Sequence, residues 1–200
     1  AMQLGSALAY MHDQHPPILH RDIKPSNLKV TPAGLVKLVD FGLVKILAPG
    51  EVTITILQGQ GTAIYTPLEQ YGGDSGHTDV RSDLYAFGAT LYHLLTNRAP
   101  ADARDRFLDA GALTPPRQIN PAISQRVEHA MLWAMSLHPD DRPANAEEFL
   151  HALTGDRPTL PNALRRPVQL RDYLNRTPER QIVTTALIFG TLSLLIALML

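Results

Sequence analysis

Apolar residues recur at helical spacing along most of this chain and alternate, strand-like, in one short region. Leu4, Leu8 and Met11 predict a helix over 2–13. Leu28-Lys29-Val30 and Leu35-Val36-Lys37-Leu38 alternate, and Thr31-Pro32-Ala33-Gly34 between them has turn composition, which predicts a hairpin. From Asp40 to about residue 79 the pattern is loop-rich. Residues 81–97 form a strongly apolar helix, with Leu84, Phe87, Gly88, Leu91 and Leu95 expected to face inward. A short charged helix follows over 102–110. Pro121 and Ser124 open another, whose buried side carries Ile123, Val127, Ala130, Met131 and Ala134. Glu147 to Leu153 is the last short helix, and Gly155 ends the pattern. The prediction is a mainly α fold with one small hairpin over 1–153.

Two further segments follow. Residues 154–180 are rich in arginine and proline and read as a tether. Ile182–Leu200 contains no charged residue and no polar face, and its length suits a membrane-spanning helix, giving an expected span over 181–200. Thr184, Thr185, Thr191 and Ser193 can bond to their own helix and do not forbid insertion. Arg157, Arg165, Arg166, Arg171, Arg176 and Arg180 precede the span, so the positive-inside bias places the preceding residues in the cytoplasm.

A net charge of −1 gives no electrostatic pull toward nucleic acid. The absence of cysteine excludes a disulfide framework and a cysteine-based metal site. The chemistry lies instead in His20-Arg21-Asp22-Ile23-Lys24-Pro25-Ser26-Asn27 and, one hairpin later, Asp40-Phe41-Gly42. These motifs resemble the catalytic and metal-binding loops of eukaryotic-type (Hanks-type) bacterial serine/threonine protein kinases. The resemblance covers roughly residues 2–153. It implies a protein-kinase-like C-terminal lobe that transfers the γ-phosphoryl group of ATP to a protein hydroxyl.

It also assigns roles. Asp22 would orient the attacking hydroxyl, and Lys24 would neutralise charge on the moving phosphoryl group and contact ATP. Asn27 and Asp40 would hold Mg²⁺ or Mn²⁺, hard cations that suit oxygen ligands. Lys24 favours serine or threonine over tyrosine as acceptor. His20 would pack on Phe41, which with Gly42 completes the second motif. Arg21 would await a phosphate on the activation segment, with Thr53 and Thr55 as candidate phosphosites. Thr62 would bond to Asp22 and Lys24. Asp83, with Gly88, would hold the backbone of the catalytic loop. Glu69 would pair with Arg142; Thr66-Pro67-Leu68-Glu69 departs from the family's Ala-Pro-Glu by an inserted residue or a different register. Lys29 stands near where the family places an apolar residue beneath the adenine ring, so either it turns away or that floor is unusual.

Other expected partners are protein substrates, the bilayer through 181–200, and a second copy for autophosphorylation. The expected location is the cell membrane, single-pass, with the lobe cytoplasmic. No glycine-rich loop and no Val-Ala-x-Lys pattern precedes His20, so residues 1–153 are read as a C-lobe lacking its N-lobe, with little activity alone. Two other readings stand beside this one. A membrane-anchored pseudokinase or scaffold would have no need of Asp22, Asn27 and Asp40 together. Small-molecule phosphotransferases share that trio but generally lack the activation-segment motifs.

Overall fold

The computed structural model describes residues 1–41, 45–46, 63–71 and 78–155, with backbone alone at 45–46. The predicted tether beyond Gly155, the predicted span over 181–200, Gly42, Thr53, Thr55 and Thr62 lie outside these residues. Within them the elements run α1 (Met2–His12), β1 (Ile18–Leu19), β2 (Leu28–Val30), β3 (Val36–Leu38), β4 (Lys45–Ile46), α2 (Val80–Thr96), α3 (Ala103–Leu108), α4 (Pro116–Ile119), α5 (Gln125–Ala134) and α6 (Ala146–Thr154). Among the described residues no helix is long and apolar enough to cross a membrane.

The central element is α2, because it is apolar on two sides. Leu84, Phe87 and Leu91 join one cluster with Leu4, Leu8, Ile23, Met131 and Phe149. Tyr85, Ala89 and Tyr92 join a second with Tyr65, Ala103, Met135 and Leu137. A helix packed on two sides is buried for most of its length. Leu95 departs from the expected inward set and is 38 % exposed. It lies one turn beyond Leu91, where α2 runs past the core and ends at Asn97, in the left-handed conformation common after a helix C-terminus. Two glycines set close helix crossings. A β-carbon on Gly88 would come 3.0 Å from Ala134 Cβ and Met135 Cγ, and one on Gly5 would collide with Leu150.

Helix starts follow capping chemistry. Asp79 and Asp102 accept from the second backbone N–H of α2 and α3, and Ser124 and Asn145 from the third of α5 and α6. Glu148 Oε2 also accepts from Ala144 N–H, one residue before the Asn145 cap, at 2.7 Å. Helix α5 therefore begins after Ser124, leaving Pro121 outside it. Helix α4 was not predicted; one turn started by Pro115-Pro116 has too few residues to show a period.

The predicted hairpin is antiparallel β2–β3, with Leu28 opposite Leu38 and Lys29 opposite Lys37. Gly34, at φ 78°, closes its turn, and Gly34 N–H donates to Thr31 O at 2.9 Å. Gln3 of α1 fastens the hairpin, accepting from Val36 N–H at 2.7 Å and donating to Gly34 O at 3.3 Å. Leu28 and Leu38 pack toward the first cluster, and Lys29 and Lys37 are exposed. A second small sheet, β1 antiparallel to β4, is an addition to the sequence reading.

Candidate active site

The loop from His20 to Asn27 is held from below by one side chain. Asp83, in the first turn of α2, is fully buried. Its Oδ2 accepts from His20 N–H and its Oδ1 from Arg21 N–H, both at 2.8 Å. His12 Nε2, at the end of α1, lies 2.9 Å from Oδ2. A buried carboxylate is tolerable only when its oxygens are met in this way. Thr90, two turns along α2, donates to Ile23 O at 3.3 Å. The loop thus rests on α2 at two points, and Arg21 adopts φ 67°, an uncommon conformation for a residue with a side chain.

Above this floor lie Asp22, Lys24 and Asn27. Lys24 Nζ is 2.8 Å from Asp22 Oδ2. Asn27 Nδ2 donates to Asp22 Oδ2 at 2.9 Å and to Asp22 O at 2.8 Å. Asp22 Oδ1 is buried and has no hydrogen-bond partner among the described residues. One oxygen of this carboxylate is therefore committed and the other is available. The Asn27 amide nitrogen is turned to Asp22, which leaves its oxygen as a ligand; Ser26 Oγ lies 3.5 Å from it. A single 3-10 turn, Pro25–Asn27, produces that orientation.

Asp40 reaches the same neighbourhood through the hairpin. Val39 N–H donates to Asn27 O at 2.9 Å, so the residue preceding Asp40 is bonded to Asn27 itself. Asp40 has φ 66°, which turns the chain sharply after β3. No group of three or more His, Cys, Asp or Glu side chains among the described residues could hold a metal ion. A cation here would draw on Asn27 and Asp40 and take further oxygens from phosphate or water, which suits Mg²⁺ or Mn²⁺. The donor set fits such an ion.

His20 is fully buried, and its ring meets Phe41 edge-on at 5.0 Å between centroids. Burial pushes its pKa below the ordinary histidine value, against the opposing pull of Asp83 and Asp22. His20 Nδ1 accepts from Asp22 N–H at 3.4 Å. A neutral ring wedged between Phe41 and the Asp22 backbone is a support. Burial also lowers the Arg21 pKa, and Arg21 Nε has no partner among the described residues.

Glu69 and Arg142 form the next fixed point. Arg142 donates to Glu69 Oε1 at 2.6 Å and Oε2 at 3.0 Å. Its remaining N–H groups reach Ser136 O, Leu137 O and Arg81 O, so all five guanidinium donors are used. Ser82 Oγ adds a bond to Glu69 Oε1 at 2.8 Å. Glu69 sits in the 3-10 helix Leu68–Tyr71. Tyr65, a few residues before, stacks on His93 of α2 and bonds to its Nδ1 at 2.5 Å.

Residues 1–162 match the family model for the protein kinase domain. This chain belongs to the protein kinase domain family. It is 37 % identical over 150 residues to "Probable serine/threonine-protein kinase PknB" of Bifidobacterium longum, covering 72 % of this chain and 21 % of the relative. It is also 37 % identical over 141 residues to "Tyrosine-protein kinase MasK" of Myxococcus xanthus, covering 68 % of this chain and 21 % of the relative. The solved structure "PpkA-294 apo form" aligns with a TM-score of 0.58 at 24 % identity, over 76 % of this chain and 51 % of its own, and shows the shared fold. The chain spans about a fifth to a third of the length of the curated relatives it matches.

Within this kinase domain the structure brings together Asp22, Lys24 and Asn27; His20 and Phe41; Asp83 and the loop backbone; and Glu69 and Arg142. Lys29 lies on the hairpin face away from Leu28 and Leu38. Sequence reasoning missed His12. A histidine closing a helix reads as a basic residue complementing the helix dipole, and nothing local connects it to Asp83.

Proposed function

We propose that this chain supplies the acceptor- and metal-binding half of a serine/threonine protein kinase, which transfers the γ-phosphoryl group of ATP to protein serine or threonine hydroxyls. The observation that carries this reading is the divided Asp22 carboxylate, with Oδ2 held by Lys24 and Asn27 and Oδ1 buried without a partner. Oδ1 would accept the hydroxyl proton of the acceptor. The hydroxyl oxygen then attacks the γ-phosphorus, the bond to the β–γ bridging oxygen breaks, and ADP leaves. Lys24, already at the carboxylate, would offset charge on the moving phosphoryl oxygens. Asn27 and Asp40 would hold the divalent ion, which supplies charge neutralisation at the phosphates when bound. The segment between Phe41 and Glu69 would border the acceptor, with Thr62 reaching Asp22 and Lys24, and Thr53 or Thr55 taking a phosphate that Arg21 receives.

The nucleotide clamp is the part these residues do not carry, since no glycine-rich loop or paired lysine precedes His20. The chain alone is therefore expected to transfer little phosphate. The test is a fusion of residues 1–155 to the nucleotide-binding lobe of a related serine/threonine kinase, assayed with γ-labelled ATP, Mg²⁺ and a serine-containing protein. Transfer that disappears in Asp22→Asn supports the reading. A fusion that folds, binds nucleotide and transfers nothing rejects it.

We further propose that residues 181–200 anchor the chain in the cell membrane with the kinase residues on the cytoplasmic side. The uncharged run and the arginines before it support this. Carbonate-resistant sedimentation with membranes is expected; extraction of the intact chain by carbonate would refute it.

A further inference from the structure

Tyr71 is absent from every motif discussed so far, yet it joins three separate parts of the chain. Its hydroxyl lies 3.0 Å from Ala63 O and 3.3 Å from Asp102 Oδ2. The Arg104 guanidinium carbon stands 4.5 Å from its ring centroid. Asp102 is the N-cap of α3, and its side chain accepts both the Arg104 backbone N–H at 2.8 Å and the Arg104 guanidinium at 3.3 Å. Ala63 O also accepts Thr66 N–H at 3.0 Å, so the carbonyl gripped by Tyr71 closes the Ala63–Thr66 turn. Glu69 and Arg142 already fix the chain two residues before Tyr71. From that fixed base, Tyr71 folds back to hold the turn and braces it against α3.

We propose that Tyr71 is a positioning residue for the protein acceptor: through Ala63 O it sets the 63–66 turn that follows Thr62, and through Asp102 and Arg104 it locks that turn to α3. This rests on the kinase reading, which puts the segment ending at Glu69 beside the acceptor. The chemistry suits a permanent brace. Burial, and then the neighbouring Asp102 carboxylate, push the Tyr71 pKa up to about 12, so the phenol keeps its proton and remains a donor at working pH. The single proton is shared between two acceptors, and the cation over the ring holds the phenol in place.

The test uses Tyr71→Phe, which keeps the ring on Arg104 and removes both hydroxyl contacts, with Asp102→Ala and Asp102→Asn beside it. Hydrogen exchange in the 200-residue chain reads the brace directly. Thr66 N–H should exchange roughly tenfold faster in Tyr71→Phe and Asp102→Ala. Amides of α2 should be unchanged, Asp102→Asn should stay close to wild type, and the double variant should add little. Unchanged Thr66 exchange in Tyr71→Phe overturns the proposal. In the active fusion, Tyr71→Phe should raise KM for the acceptor about tenfold, with KM for ATP and kcat within about twofold. Equal loss across all three constants, or none, also overturns it. A wild-type fusion that transfers no phosphate would instead count against the kinase reading, and the exchange result would still decide the brace.

Discussion

Replacing Asp83 by asparagine tests whether one buried carboxylate holds the His20–Asn27 loop. The substitution keeps size and shape but turns one oxygen into an NH₂ group. Oδ1 and Oδ2 each face a backbone N–H at 2.8 Å, so either amide orientation sets a donor against a donor. One charge-assisted bond is lost, about 1.5–3 kcal/mol, and one buried N–H is left unmet, about 1–3 kcal/mol. The sum is about 2.5–6 kcal/mol, which for a domain of this size lowers Tm by roughly 10 °C. The single tryptophan, Trp133, is buried in α5, so its fluorescence in a urea titration follows unfolding of the core. His12→Gln should cost about 1 kcal/mol, and the double variant less than the sum, because both residues act on Oδ2. A urea midpoint for Asp83→Asn within error of wild type would show that the loop is held elsewhere.

Arg142→Lys keeps the charge and discards the fork, stranding Glu69 and up to three carbonyls; a loss of about 3 kcal/mol is expected in the same titration. Phe149→Ala removes a fully buried ring that meets Phe87 edge-on at 5.1 Å, and should cost about 3–5 kcal/mol by thermal or urea unfolding. His20 titrates lower in the folded chain than its ordinary value of 6.5, so the unfolded chain binds more protons below about pH 6.5. Its share of stability is complete above that pH and is lost as pH falls toward the folded pKa. Urea midpoints between about pH 7.5 and 5.5 should decline less steeply in His20→Phe than in wild type. Asp22→Asn in the active fusion should cut kcat at least about a hundredfold with little change in KM for ATP, read by labelled-phosphate transfer.

Much of this architecture was legible because its signals are local. The period of Leu84, Phe87 and Leu91 exposed α2, alternation across Lys29 and Lys37 exposed the hairpin, and the eight residues from His20 to Asn27 pointed to the candidate site. What stayed hidden depends on distance along the chain. Strand β1 has two residues and a partner at Lys45–Ile46, so it has no period to read. Leu95 fits the helical stripe but overshoots the core, and a stripe does not show where the facing helices end. His12 and Tyr71 matter through bonds to Asp83 and Ala63, and neither residue type announces such a partner. The pairing of Glu69 with Arg142 was readable only because both sit in recognisable motifs; a lone Glu or Arg would have passed for surface.

The hairpin between Asn27 and Asp40 does more than join two motifs. Asn27 opens it, and Val39, one residue short of Asp40, closes it through a bond to the Asn27 carbonyl. The relative placement of the Asn27 and Asp40 oxygens is therefore set by the strand register, in which a one-residue slip shifts one partner by roughly 3.4 Å. Gly34 sets where the count turns round, and Gln3 clips the turn to α1. One residue added at that turn, far from any reacting atom, would move Asp40 out of step with Asn27 while leaving the helices intact. The hairpin is a ruler for the proposed metal site, and its scale is kept at the end remote from Asn27 and Asp40.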